Sequence, residues 1–245
     1  MSEEAIEIRT SDGTADGYLY RPTGDAQAPA VVVLTDIGGI REGTRDLSAR
    51  LATRGYVVLL PNVFYRTTKP PVFRSPPNFG DEATRKRFGE LTAPLAPDAV
   101  ERDGAAYLDY LDSQPGVRSG KYGVVGYCFT GSHAMRYAAS QSERIVSAAS
   151  FHGGGLYTDK PESPHLLLPR IRARLYFGHA VEDRSMPKEA IDKLDQALAA
   201  WGGSYENEVY EGARHGWTMP GRVHHPAQAE RAFTKLTELF DTTLR

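Results

Sequence analysis

At 245 residues the chain is long enough for one α/β domain with a full core. A formal charge of -2, from 29 Lys and Arg against 31 Asp and Glu, leaves no basic footprint for nucleic acid. The longest apolar runs, such as Ala30 to Leu34, are far too short to span a membrane.

The first elements in chain order are Ile6 to Arg9 and Gly17 to Arg21, which predict an N-terminal hairpin turning near Asp12-Gly13. Ala30 to Thr35 reads as a fully buried strand and Thr44 to Arg54 as a helix stopped at Gly55. Tyr56 to Leu60 is the next strand, ended by Pro61. The segment 65–98 then breaks the rhythm with repeated prolines and a charged helical stretch from Asp81 to Leu91. Long excursions are often functional, so it reads either as a partial lid or as a plain surface loop. A helix over Ala99 to Leu111 follows, then strands at Tyr122 to Val125, Val146 to Phe151, Ala173 to Phe177 and Glu206 to Tyr210. Helices are expected at Ser132 to Ser140, Lys188 to Trp201 and Pro226 to about Leu239. Alternating β and α elements imply a single α/β domain over 1–245. Its central sheet would be mostly parallel, with helices on both faces and a site at the strand C-terminal ends.

One such end carries the most informative motif, Gly126-Tyr127-Cys128-Phe129-Thr130-Gly131, which holds the only cysteine in the chain. A nucleophile on a sharp strand-to-helix turn needs small neighbours, because a Cβ at either glycine would meet backbone. The usual form is G-x-S-x-G. Here cysteine stands for serine, and the second glycine comes one place late, at Gly131. The alternative is a buried cysteine acting as a small hydrophobe. Partners for a nucleophile lie downstream in the order acid, then histidine: Asp183 follows the strand Ala173 to Phe177, and His215 follows Glu206 to Tyr210. Cys128, Asp183 and His215 therefore form the candidate triad, with Glu182 as the competing, more solvated acid. Among the other histidines, His152 could line the pocket but precedes the acid loop. His133 lies inside the following helix and is expected to point away, His165 lacks catalytic spacing, His179 stands near Asp183 as a candidate support for it, and His224-His225 suit a helix entry. No H-E-x-x-H or clustered ligand spacing points to a metal.

These residues resemble the dienelactone hydrolase family (carboxymethylenebutenolidases), an α/β-hydrolase family. The resemblance is carried by Gly126-Tyr127-Cys128, Gly178 to Asp183, Tyr210 to His215, and the strand running into Asp36-Ile37-Gly38-Gly39. It implies hydrolysis of a small lactone or ester through a thioester acyl-enzyme, without metal or organic cofactor. It implies an oxyanion hole from the Ile37 and Phe129 amides, donors worth about 3 kcal/mol each. It places Asp36 where the family has a glutamate that restrains the resting thiol; a turn role before Gly38-Gly39 is the alternative. Arg66 matches a carboxylate-binding arginine, with a surface arginine as the alternative. The family's second such arginine is replaced by Met219, for which Arg222 could substitute. Trp217 and Phe129 are candidate apolar walls, with ordinary core the equal alternative for each. A free thiol and the polar start Met1-Ser2-Glu3-Glu4 suit a cytoplasmic protein without a secretory signal. The other readings are a general carboxylesterase or thioesterase, and a non-catalytic relative that binds a small ligand. The expected partner is a small-molecule ester or lactone; the oligomeric state is open.

Overall fold

The run Ala28–Leu34 is buried along its whole length, as a strand covered on both faces must be. It is one of eight strands among the residues that the computed structural model describes, 1–24, 27–74, 77–78 and 80–245. The chain divides into two compact units, Met1–Arg118 and Ser119–Arg245.

In the first unit β1 (Ser2–Thr10) and β2 (Gly13–Arg21) form the expected hairpin, longer than its apolar pattern because much of it is exposed. β3 (Ala28–Leu34) is joined to β4 (Val57–Pro61) through α1 (Glu42–Thr53), and the two strands pair in parallel. The strand order is β1-β2-β4-β3, with β2 antiparallel to both of its neighbours. The excursion carries α2 (Glu82–Thr92), and α3 (Pro97–Asp112) packs on β1 and β4. Proline at its first turn and Asp98 beside it suit the α3 N-terminus. Pro76 of the excursion lies outside the described residues.

The second unit takes in all but the first two residues of β5 (Val117–Tyr127), followed by α4 (Thr130–Ser140) and β6 (Ile145–Phe151). Then come β7 (Arg174–Ala180), α5 (Lys188–Trp201), β8 (Tyr205–Tyr210) and α6 (Pro226–Leu244). The strands pair in the order β5-β6-β7-β8, all parallel. Their C-terminal ends therefore share one edge, and the loops leaving it carry every downstream candidate residue. Two contacts place helices on opposite faces. A Cβ at Gly131 in α4 would meet Ser150 of β6, whereas a Cβ at Gly123 would meet Phe240 of α6 beside Ser147. Ser147 and Ser150 differ by an odd number of positions, so they face opposite sides of the strand.

β5 starts at Val117, upstream of the predicted Tyr122, because Arg118 to Lys121 are exposed and carry no apolar signal. A 3₁₀ helix over Pro164–Arg170, with Pro169 inside it, was not expected from the sequence. No helix among the described residues is long and apolar enough to cross a membrane.

Candidate active site

The strand-to-helix turn after β5 holds Cys128 at φ 60°, a left-handed conformation that costs a non-glycine residue about 1–3 kcal/mol. Several bonds hold it there. The Cys128 N–H donates to Phe151 O (3.1 Å) and to His152 Nδ1 (3.0 Å), and the Cys128 carbonyl accepts from Gly131 (3.1 Å) and Gly154 (3.2 Å). Thr130 adds a clasp: its hydroxyl accepts from the Tyr127 amide and donates to the Tyr127 carbonyl, both at 2.9 Å.

The glycine positions follow from crowding. A Cβ at Gly126 would lie 2.1 Å from the Thr130 carbonyl oxygen. One at Gly131 would lie 2.2 Å from Ser150 Oγ and 2.9 Å from Gly153 Cα. The tight approach of α4 to β6 thus falls at residue 131, which is why the second glycine comes one place late. Gly131→Ala is expected to lower stability by about 3 kcal/mol, at the upper end for overpacking, because backbone and not only a flexible side chain stands in the way. Urea denaturation measures it; an unchanged midpoint would mean that the loop after β6 yields freely.

His215 and Asp183 are brought together by the loops after β8 and β7, with His215 Nδ1 2.6 Å from Asp183 Oδ2. The other carboxylate oxygen accepts from the Ser185 amide (2.8 Å) and the Ser185 hydroxyl (2.6 Å). Ser185 Oγ also lies 3.2 Å from His215 Nδ1, so it braces acid and imidazole together. Burial acts to raise the Asp183 carboxyl, but the bonds from His215 and Ser185 prevail and hold it below its ordinary value. Burial likewise works against charge on His215. Hydrogen bonds to Asp183 and Cys128, and the charges of both, outweigh it and push His215 up to about 10. Nδ1–H points at the carboxylate, which leaves Nε2 for the thiol side of the ring.

Phe129 caps α4, half-exposed, with its ring edge-on to His133 at 5.3 Å. His133 is buried, and burial together with Arg136 brings it down to about 3, so it stays neutral. Glu182 is exposed at φ 54°, one residue before the acid that meets His215. His179 is bonded to Asn207, His165 stacks on Tyr157, and His225 caps α6.

Other candidates have partners that change their reading. Trp217, read as either a pocket wall or ordinary core, is fully buried, stacked on Tyr210 at 4.9 Å and edge-on to His152 at 5.1 Å. It belongs to the core beneath the His215 loop. Met219 is buried as well, while Arg222 is exposed.

In the first unit, Ile37 is buried in the turn that follows β3. Asp36 accepts both guanidinium nitrogens of Arg41, at 2.6 and 2.7 Å, and the Gly38 amide at 2.9 Å. That is the turn role, reinforced by a two-pronged ion pair. Arg66 bonds Asp103 through two nitrogens, at 2.7 and 2.9 Å, and Asp12 at 2.6 Å. Its guanidinium is committed to pinning the excursion to α3.

Ser185, Thr218 and the Gly154 amide were not assigned from the sequence, and His152 was read there only as a possible pocket lining. Among the first three only Ser185 left a trace, the Asp-x-Ser spacing of a side-chain-to-backbone turn.

Strands ending at a common edge, a left-handed cysteine between strand and helix, and a carboxylate-bound histidine on later loops define an α/β-hydrolase. A crystal structure from Klebsiella pneumoniae subsp. pneumoniae shares that fold, with a TM-score of 0.85 at 23% identity, over 98% of this chain and 99% of the other. The chain belongs to the dienelactone hydrolase family, whose sequence profile matches residues 15–244. A carboxymethylenebutenolidase of Rhodococcus opacus is 30% identical over 237 residues, 93% of this chain and 86% of its own. A protein of Synechocystis sp. is 30% identical over 233 residues, 94% of this chain and 92% of its own. The protein is accordingly a hydrolase of ester or lactone bonds.

Proposed function

We propose that the protein hydrolyses small esters or lactones with Cys128 as nucleophile, through a thioester acyl-enzyme. The reading is carried by the Asp183–His215 contact at 2.6 Å, beside which Cys128 acts to raise the His215 imidazole. His215 Nε2 takes the thiol proton as Cys128 Sγ attacks the carbonyl carbon, and the carbonyl electron pair moves to oxygen. The Phe129 amide, at the N-terminus of α4, faces the developing oxyanion in this reading. Collapse re-forms the carbonyl and breaks the C–O bond, and His215 gives its proton to the departing oxygen. In a lactone that oxygen stays on the acyl chain. Water, deprotonated by His215, then attacks the thioester, and the free acid leaves as Cys128 is restored. Asp183 keeps the imidazole in one tautomer throughout.

The substrates favoured are neutral. Arg66 is occupied by Asp103 and Asp12, and the buried Met219 supplies no charge where the resemblance leads one to expect a second arginine. Losing a charge-assisted hydrogen bond of about 1.5–3 kcal/mol lowers efficiency on an anion roughly tenfold to a hundredfold. The experiment incubates the protein with a chromogenic aryl acetate, looks for an acetyl group on the Cys128 peptide by mass spectrometry, and compares kcat/KM with that for dienelactone. Acetyl-Cys128 and a higher kcat/KM for the neutral ester are expected. Turnover without any acyl-cysteine would reject the thioester, and a strong preference for dienelactone would reject the neutral substrate class.

A further inference from the structure

Immediately after β6 stands a second imidazole that the proposed chemistry does not use. His152 is 1% exposed and holds a left-handed backbone at φ 42°. Its ring is edge-on to His215, with centroids 5.0 Å apart. A histidine in this environment could be a spare base or simple filler. The bonds at its two nitrogens argue for something else.

Nδ1 accepts the Cys128 amide proton at 3.0 Å, so Nδ1 carries a lone pair and no hydrogen. A neutral ring then has its proton on Nε2, where Thr218 Oγ1 lies 2.9 Å away as acceptor. The ring therefore runs as a continuous link from the backbone of the nucleophile to a residue three places after His215. The loop at its far end is stiff. Trp217 N–H bonds Arg214 O at 3.0 Å and Met219 N–H bonds Gly216 O at 3.2 Å, so Thr218 and His215 move together. The near end is anchored too, because the His152 amide donates to Gly178 O at 2.7 Å.

We propose that His152 is a positioning residue that fixes the nucleophile elbow relative to the histidine loop, by accepting from the Cys128 amide and donating to the Thr218 hydroxyl. It never touches substrate and exchanges no proton in the cycle. Its contribution is the spacing between Cys128 and His215. A misplacement of about 1 Å in such a pair costs on the order of a hundredfold in rate. The inference rests on Cys128 and His215 being the reacting pair.

The two ends of the link can be cut separately. In His152→Asn, Oδ1 stands near the place of Nδ1 and keeps the Cys128 bond, while nothing reaches Thr218. Asparagine also tolerates the left-handed backbone. Thr218→Val removes the hydroxyl at nearly constant shape, and Thr218→Ser keeps it. Circular dichroism and thermal melts check that each variant folds, and hydrolysis of a neutral aryl acetate supplies kcat and KM. We expect Thr218→Val to lower kcat about tenfold with KM within about twofold, and Thr218→Ser to remain within about twofold of wild type. His152→Asn should fall by a similar factor. Because both cut one link, the double variant should be no slower than His152→Asn alone. Ring ¹⁵N shifts of His152 in the wild type should show protonated Nε2 and bare Nδ1. Multiplying effects in the double variant, a Thr218→Val enzyme as fast as wild type, or a proton on Nδ1 would each overturn the proposal. Failure of the nucleophile assignment is separable: Cys128→Ala would then remain active, whereas the ¹⁵N pattern of His152 reads the link without reference to turnover.

Discussion

Cys128→Ala is expected to abolish hydrolysis while leaving the fold in place. Removing a nucleophile from a group of residues that act as a unit commonly costs roughly 10⁴-fold or more in kcat. The side chain is only partly buried, so its truncation opens no closed cavity, and alanine adds no atom to the crowded turn. The backbone bonds that hold residue 128, from Phe151, Gly131 and Gly154, do not depend on the thiol. Turnover of an aryl ester alongside a near-UV circular dichroism spectrum makes the check. A folded variant within tenfold of wild type would assign the nucleophile elsewhere.

Asp183→Asn should cost about 10⁴-fold in kcat with little change in KM. The asparagine can present an N–H to Nδ1 and so favour the wrong tautomer, and it no longer supports the imidazolium. Glu182→Gln, one residue away and exposed, should stay close to wild type; a large loss there instead would move the acid by one position. Stability carries a pH signature of the same pair. His215 is raised from its ordinary 6.5 to about 10, so its contribution is complete below about 6.5 and fades as pH rises through about 10. Asp183 is lowered from its ordinary 3.8, so its contribution is present above about 3.8 and fades as pH falls below that value. The stability gap between wild type and Asp183→Asn should therefore be widest between about pH 4 and 6.5 and should narrow towards pH 10. Urea unfolding at several pH values measures it, and a gap that widens above pH 7 would contradict the assigned shift.

The sequence carries the strands and the elbow in local patterns. Ala30 to Leu34 is an unbroken apolar run and Val146 to Phe151 a run of apolar and small residues, and both become largely buried strands. Helix α5 matches its expected ends because Pro187 cannot continue a helix backwards and Gly202 adopts the left-handed cap at φ 72°. The family resemblance, read from Gly126-Tyr127-Cys128 and the later loops, agrees with the profile match over residues 15–244. What stayed hidden depends on pairings across long separations. His152 meets Cys128 from 24 residues away and Thr218 from 66, and Arg66 meets Asp103 from 37. No periodicity reports such pairs, because they follow from which loops the parallel strands deliver to one edge. Asp36 is the instructive case: Arg41, only five residues on, occupies it, yet nothing in the spacing distinguishes that turn from an acid held open.

Among the described residues three non-glycine ones have left-handed backbones, Cys128, His152 and Glu182, and they follow three neighbouring strands, β5, β6 and β7. On the proposed chemistry two of them have side chains that a glycine could not replace, since one holds the thiol and the other the imidazole link. Glu182 has no such claim: its side chain is exposed. A directed-evolution campaign for heat resistance should therefore be free to relax the backbone at position 182, with asparagine or glycine, and should find positions 128 and 152 closed to it. The same edge of the sheet would then separate into two kinds of ground, one where selection can accumulate thermal tolerance and one where any such gain is surrendered as lost turnover.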